Sequence, residues 1–467
     1  MRKRERLKGA DMEDVSEQRV ALLVTTLSSL LTPMMSSAVN IAMPAIARDF
    51  AMDAVLLSWV ASSYLLAAAI FLLPFGRLAD IVGRKKIFVY GTVIFSSAAL
   101  LAGLAPRANV FLFARLVQGI GAAMIFGTGI AILTSVYPPQ RRGWVLGINV
   151  AATYTGLSLG PFVGGLLTQY LGWRWVFLLN VPLGMLILVA VWLKMPQEWA
   201  GSRGEPFDWK GSLAYSLMLT AFMLGFTWLP RWKGLVLLLA AAGAIPLFMN
   251  WEARHKHPIF QARLIRGNTV FAFSNLAALI NYSATFAITF LLSLYLQYIK
   301  GFDPRAAGLV LIAQPVVMAA FSPLAGRLSD RLEPRLVASL GMGVSAAGLF
   351  LFVWLHAHSG LGFIVTALML VGFGFALFSS PNTNAIMSSV DKKYYGVASA
   401  TLATMRMVGQ MLSMGIATLV FSLFIGKVQI TPAIYPLFLN SIRVSFIVFF
   451  VLCCCGVFFS LARGRLR

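Results

Sequence analysis

Apolar runs of about twenty residues, long enough to cross the hydrocarbon core of a bilayer, recur along this chain with only short charged or Pro/Gly-marked breaks between them. Such a pattern leaves few folds open, because lipid offers the backbone no hydrogen-bond partner and only helices or closed barrels satisfy it internally. The runs read as fourteen spanning helices, at 20–43, 55–75, 87–104, 110–136, 144–167, 175–193, 211–229, 234–250, 269–299, 306–326, 336–355, 362–390, 396–425 and 437–461. The expected fold is an all-α membrane protein, with a 1–19 tail before the first span and a 462–467 tail after the last. Composition agrees, since 59% of residues are hydrophobic and 12% charged, against roughly 45–50% and 25% in soluble domains. Disorder, a disulfide scaffold and a collagen-like fibre are excluded by 3 Cys, 40 Gly and 20 Pro in 467 residues.

The formal net charge is +22, from 38 Lys and Arg against 16 Asp and Glu. In a soluble chain that excess would suggest nucleic-acid binding, but no extramembrane stretch here is long enough to form such a domain. Basic residues gather instead on cytoplasmic loops of membrane proteins. With the amino end inside, about 27 of them fall on inner loops and tails, about 9 on outer ones and about 2 within spans. Both termini are therefore expected in the cytoplasm and the chain in the cytoplasmic membrane. The first run is longer than a signal core and lacks a small-residue cleavage site, so it reads as a retained helix.

Chemistry at membrane depth is sparse. Cys453, Cys454 and Cys455 are adjacent, and neighbouring helical residues point about 100° apart, so they cannot converge on one metal. His255 and His257 fall in an inner loop and His356 and His358 in an outer one. No span holds a nucleophile, metal set or acid/base pair of the kind an embedded enzyme needs, and neither metal nor cofactor is expected.

After the second run comes Gly76-Arg77-Leu78-Ala79-Asp80-Ile81-Val82-Gly83-Arg84-Lys85-Lys86, read as a tight inner turn. A partial copy, Gly326-Arg327-Leu328-Ser329-Asp330-Arg331, follows a later span. Duplicated motifs of this kind mark transporters built from two related halves. With these residues the chain resembles the major facilitator superfamily, as it does in Arg115-Leu116-Val117-Gln118-Gly119-Ile120-Gly121-Ala122 and in Gly156-Leu157-Ser158-Leu159-Gly160-Pro161-Phe162-Val163-Gly164-Gly165. In the last of these, Gly156, Gly160 and Gly164 form one smooth stripe for close helix contact beside Pro161.

Fourteen spans narrow the resemblance to the drug:proton antiporter branch with two extra central helices. It implies two six-helix bundles, 20–193 and 269–461, joined by a linker, 194–268, that carries the inserted pair at 211–229 and 234–250. It further implies that substrate lies between the bundles and that the glycine-striped fifth helix packs on the other half as an outer gate; the inserted pair, apolar, short and without an ionisable residue at depth, is expected to be peripheral. Gate residues by the same resemblance are Gly76, Asp80, Gly83, Arg84, Gly156, Gly160, Pro161, Gly164, Asp330 and Arg331. Asp80 is expected to bond the bases Arg77 and Arg84 and hold the inner side closed.

A charge at the bilayer centre costs at least ~2.5–3.5 kcal/mol, which makes an intramembrane ionisable residue a functional candidate. Arg115 and Arg406 qualify, each with an amide on its own helix face, Gln118 and Gln410. The family's first helix carries an acid as proton carrier and partner of the fourth-helix Arg, but here Met35 fills that position within Met34-Met35-Ser36-Ser37-Ala38-Val39-Asn40. Arg115 is then expected to contact first-helix polar groups such as Asn40. Ser36, Asn40, Asn149, Tyr154, Asn275, Asn281, Tyr282, Asn382 and Asn384 are the further substrate-binding candidates. Two arginines and no carboxylate should attract anions and disfavour lone cations. The expected function is a monomeric secondary transporter exporting amphipathic small molecules, with protons and membrane lipid as partners; the alternatives are a carrier of anionic metabolites or lipids and an uncoupled facilitator.

Overall fold

In the computed structural model, residues 2–391 and 394–464 are described, with backbone only for 2–16, 139, 140, 143 and 330. Fourteen helices are long and apolar enough to span: α1 Glu17–Asp49, α2 Ala54–Val82, α3 Arg84–Gly103, α4 Ala108–Val136, α5 Trp144–Tyr170, α6 Arg174–Lys194, α7 Trp209–Trp228, α8 Trp232–Arg254, α9 Thr269–Ile299, α10 Pro304–Ser329, α11 Pro334–Val353, α12 Leu361–Ser388, α13 Tyr395–Phe424 and α14 Pro432–Ala462. The all-α reading and the number of spans hold. Side-chain caps start several of them: Asp53, Asp208, Asn268 and Asp303 accept from Leu56, Gly211, Phe271 and Ala306 backbone N–H at 2.7–2.9 Å.

Span ends differ from the hydropathy reading where helices outrun their apolar part. The motif after the second run is helical through Val82, not a turn, because α2 continues past Gly76 and breaks only at Gly83, where φ is +135°. The partial copy likewise continues α10 as helix to Arg331. Such extensions lie where polar headgroups and water replace lipid, so charged residues no longer end a helix.

The two halves, α1–α6 and α9–α14, share their internal contacts. α3 and α4 cross where a Cβ at Gly121 would come 2.8 Å from the Gly91 carbonyl oxygen; α11 and α12 cross where a Cβ at Gly374 would come 2.6 Å from that of Gly341. Gly119 lies hard against the Tyr64 carbonyl and Gly372 against that of Gln314. Corresponding helix pairs of the two halves thus cross through small residues, as two related halves would.

The inserted pair forms a hairpin seated on α2 and α13, one helix from each half. Tyr215 donates to the Ala69 carbonyl at 3.0 Å, and Ser422 donates to the Leu229 carbonyl at 3.1 Å. The linker before it is bound to the α2–α3 junction. Ser202 N–H donates to the Asp80 carbonyl, Arg84 N–H to the Trp199 carbonyl, and Glu198 accepts from the Lys85 and Lys86 N–H groups at the start of α3.

Hydrogen bonds between the halves gather at the end remote from the termini. Ser293 and Gln297 donate to the Asn40 and Ile41 carbonyls, Gln429 to that of Ala51, Ala54 N–H to that of Val428, and Arg305 to the Tyr170 hydroxyl. Toward the termini the halves meet through Tyr154, whose hydroxyl pairs with Ser379 Oγ and whose ring packs against Tyr282, Met318 and Phe375. The barrier is thus thick at the far end and thin on the terminus side.

Candidate functional site

Between these barriers lies a cavity of about 210 Å³ walled by α1, α2, α4 and α5 from one half and α9, α10, α12 and α13 from the other. Breaks in the helices shape it. Pro33 and Pro161 face it, α9 is interrupted at Phe286 and α10 at Ile312. A break frees backbone groups that lipid cannot satisfy; at the first, Ser413 Oγ accepts the Ala287 N–H at 3.0 Å.

Of the residues singled out from sequence, Ser36, Asn40, Asn149, Tyr154, Tyr282, Arg406 and Gln410 line the cavity. Arg406 Nε donates to the Tyr282 hydroxyl at 2.8 Å, and its guanidinium lies 5.3 Å from that ring's centroid. Asn149 Oδ1 accepts from Ser29 Oγ at 3.0 Å, leaving Nδ2 buried without a partner. Thr285, Thr289, Gln314 and Tyr64 also line it, as do Ser29, Thr32, Ser37 and Thr153; most are lone polar residues in apolar runs and carry no sequence signal of their own. Gln314 and Tyr64 had one, as the positions facing Gly372 and Gly119 in the repeat.

Arg115 does not reach the cavity or Asn40. It is buried behind Tyr64, 4.5 Å from that ring's centroid, donating to the Val60 carbonyl at 3.0 Å and to Gln118 Oε1 at 2.6 Å. Gln118 in turn donates to Met35 Sδ at 3.0 Å. The expected pair of cavity arginines is therefore one, because the α4 face bearing Arg115 and Gln118 turns toward α1 and α2.

Asn275, Asn281, Asn382 and Asn384 also lie off the cavity. Asn275 donates to the Phe271 carbonyl and Asn384 to Ser329 Oγ, while Asn281 is fully buried with neither amide atom paired. Asn382 accepts from Arg463 at 2.8 Å and donates to the Ser274 carbonyl. Arg463, expected among the free tail charges, is 1% exposed, and burial lowers its pKa to about 10.

Most of the gate residues make their contacts within their own half or with the linker. Asp80 accepts from Arg84 Nε at 2.9 Å, and Arg84 also donates to Ser135 Oγ and the Ala131 carbonyl. Arg77 bonds Glu205 and Ser202 of the linker instead of Asp80. Gly76 faces the Gly127 carbonyl of α4, and Gly83 fits beside Glu198. Arg331 is exposed, and the Asp330 side chain lies outside the described residues. The stripe of Gly156, Gly160 and Gly164 faces Leu30, Ser37 and Ala38 of α1, in its own half. It is Gly165, about 100° further round the helix, and Pro161 that meet the other half, against Pro304 and Gly308.

A family model described as Major Facilitator Superfamily matches residues 25–255 and 275–465. Among curated relatives, the riboflavin transporter RibZ of Clostridioides difficile is 27% identical over 88% of this chain and 89% of its own. The multidrug resistance protein Stp of Mycobacterium tuberculosis is 30% identical over 84% and 74%. Among solved structures, an inward-facing, occupied bacterial homolog of the human lysosomal transporter Spinster superposes with a TM-score of 0.70 over 95% of this chain and 96% of that one, at 16% identity.

Proposed function

The chain belongs to the Major Facilitator Superfamily, and from that premise we propose that it exports amphipathic small molecules across the cytoplasmic membrane by alternating access. The observation that carries the reading is the cavity between the halves, closed thickly at the far end and crossed toward the terminus side by the Tyr154–Ser379 contact, beyond which Asn149 and Ser29 still line it. Relatives named for multidrug resistance and riboflavin transport support a small organic cargo. With the termini in the cytoplasm, as the Lys/Arg distribution indicates, the thin barrier faces inward and this conformation exchanges cargo with the cytoplasm. Asp80 and Arg84 then brace the inner ends of α2, α3 and α4 so that the half moves as one body.

The coupling ion is not carried by a cavity acid. No carboxylate is among the described lining residues, and the interfacial Asp49 is held by Arg174 at 2.6 Å and by Trp173 at 3.1 Å. Counterflow in proteoliposomes, with a panel of anionic, neutral and cationic amphiphiles and with or without a pH gradient, tests the reading. Accumulation of at least one class above protein-free vesicles is expected; no accumulation of any class overturns it.

A further inference from the structure

Arg406 is the one charged residue among the described residues lining the cavity. Its polar neighbours are phenols: Tyr282, whose hydroxyl accepts from its Nε, and Tyr154, which faces it from the other half. Phenols shield a guanidinium without neutralising it, so the positive charge stands in a mostly apolar chamber. On the opposite wall the buried Asn149 Nδ2 is a second donor without an acceptor, its amide orientation fixed by Ser29. Arg406 thus presents a full positive charge to space that this chain does not fill, with no carboxylate among the described lining residues to balance it.

We propose that Arg406, flanked by Tyr154 and Tyr282, is the docking post for one anionic group, a carboxylate or sulfonate, on an otherwise apolar organic cargo. This rests on the transport reading above. A guanidinium fork offers such a group two parallel N–H donors, and pairing beside largely apolar walls is stronger than in bulk water. The Arg406 charge itself repels a cationic cargo, and the phenols present no full negative charge to pair one. Because Tyr154 belongs to α5 and Arg406 to α13, an anion seated there touches both halves beside the thin barrier.

The test uses three probes on one ring system: dansylglycine as anion, dansylamide as neutral and dansylcadaverine as cation, in proteoliposomes of the full chain. The parent protein is expected to take up the anion roughly ten- to a hundredfold more effectively than the cation, the range a charge-assisted hydrogen-bonded pair supplies. R406Q should collapse that ratio toward one, and R406K should keep part of it, retaining charge without the fork. If the neutral probe moves but anion and cation are handled alike by the parent, the docking post is wrong and the transport reading survives. If none of the three moves, both fall. Vesicles with and without phosphatidylglycerol separate cargo from lipid: loss of the anion preference when that lipid is present would assign the post to a lipid headgroup and overturn the proposal for a small molecule.

Discussion

Gly164 and Gly165 are adjacent on α5, yet adding one methyl to each should do different things. A Cβ at Gly164 would lie 2.7 Å from the Ala38 carbonyl oxygen of α1, and a Cβ at Gly165 would lie 2.7 Å from the Pro304 carbonyl oxygen at the start of α10. Ordinary contact begins near 3.4 Å, so each substitution forces a neighbouring backbone to give by about 0.7 Å. Overpacking of this kind costs ~1–3 kcal/mol. In G164A the neighbour is in the same half and stays there in every conformation. The cost therefore falls on the fold, offset by the ~1 kcal/mol that alanine gains over glycine in a helix. In G165A the neighbour is in the other half, and the clash exists only while the far end is closed. The helix-propensity gain is common to open and closed forms and cancels, leaving the closed form disfavoured by ~1–3 kcal/mol, a shift of about 5- to 150-fold in the population ratio. Pulsed dipolar distances between spin labels at Arg107 and His358, exposed on opposite halves at the far end, read that ratio in a cysteine-less background. G165A should add a longer-distance population and G164A should not, while G164A lowers the melting temperature. A distance distribution for G165A that matches the parent, or the same lengthening in G164A, refutes the assignment of the far-end barrier to this contact.

Other outcomes follow from individual contacts. R115K should lower the melting temperature by several degrees, because one ammonium cannot serve both the Val60 carbonyl and Gln118 while lying on the Tyr64 ring; an unchanged thermal-shift midpoint in detergent would show those contacts to be idle. The Arg77 hydrogen bond, then that of His257, holds Glu205 below the usual carboxylate range. The linker contact is therefore fully present above the unfolded carboxylate pKa of ~4.3 and is lost only as pH falls through the lower folded value. Hydrogen exchange at 198–206 should stay slow at pH 5 in the parent and speed up in E205Q; equal exchange in the two proteins counts against the tie. M35D places a carboxyl where Met35 accepts from Gln118, and uptake by that variant should acquire a pH dependence beyond the parent's. Superimposable pH profiles in proteoliposomes would show that this position cannot couple protons here.

The spans were legible because lipid imposes one rule on every backbone group, and apolar length alone then identifies a helix. Facing was not legible. In water a helix shows its core side by its apolar stripe, but a helix between lipid and other helices is apolar all round, and nothing in the sequence separates the face turned to a cavity from the face turned to a neighbour. Arg115 and Arg406 illustrate this. Each has a glutamine one turn on, yet α4 turns Arg115 behind Tyr64 while α13 turns Arg406 into the chamber. The glycine stripe misled for a related reason, since a small face states that something comes close without stating what. Glycine spacing across the repeat was the signal left unused. Gly119 and Gly372 mark where α2 and α10 cross their partners, and the residues they meet, Tyr64 and Gln314, both line the cavity.

The missing first-helix acid has a physical account in the same contacts. A buried guanidinium needs its donors satisfied and its charge shielded, and a carboxylate is only one way to achieve both. Around Arg115 the Val60 carbonyl and Gln118 take hydrogen bonds, and the faces of Tyr64 and Phe177 lie 4.5 and 5.7 Å from the charge. With the cation held this way, the neighbouring α1 position is released from carrying a negative charge. Met35 can occupy it, buried and accepting from Gln118. An acid at that position would set a negative charge beside Gln118 and its partner Arg115, whereas a thioether sets none. Arg115 is thus served within its own half, and by the docking proposal made for Arg406 the charge that balances the chamber is one the cargo brings.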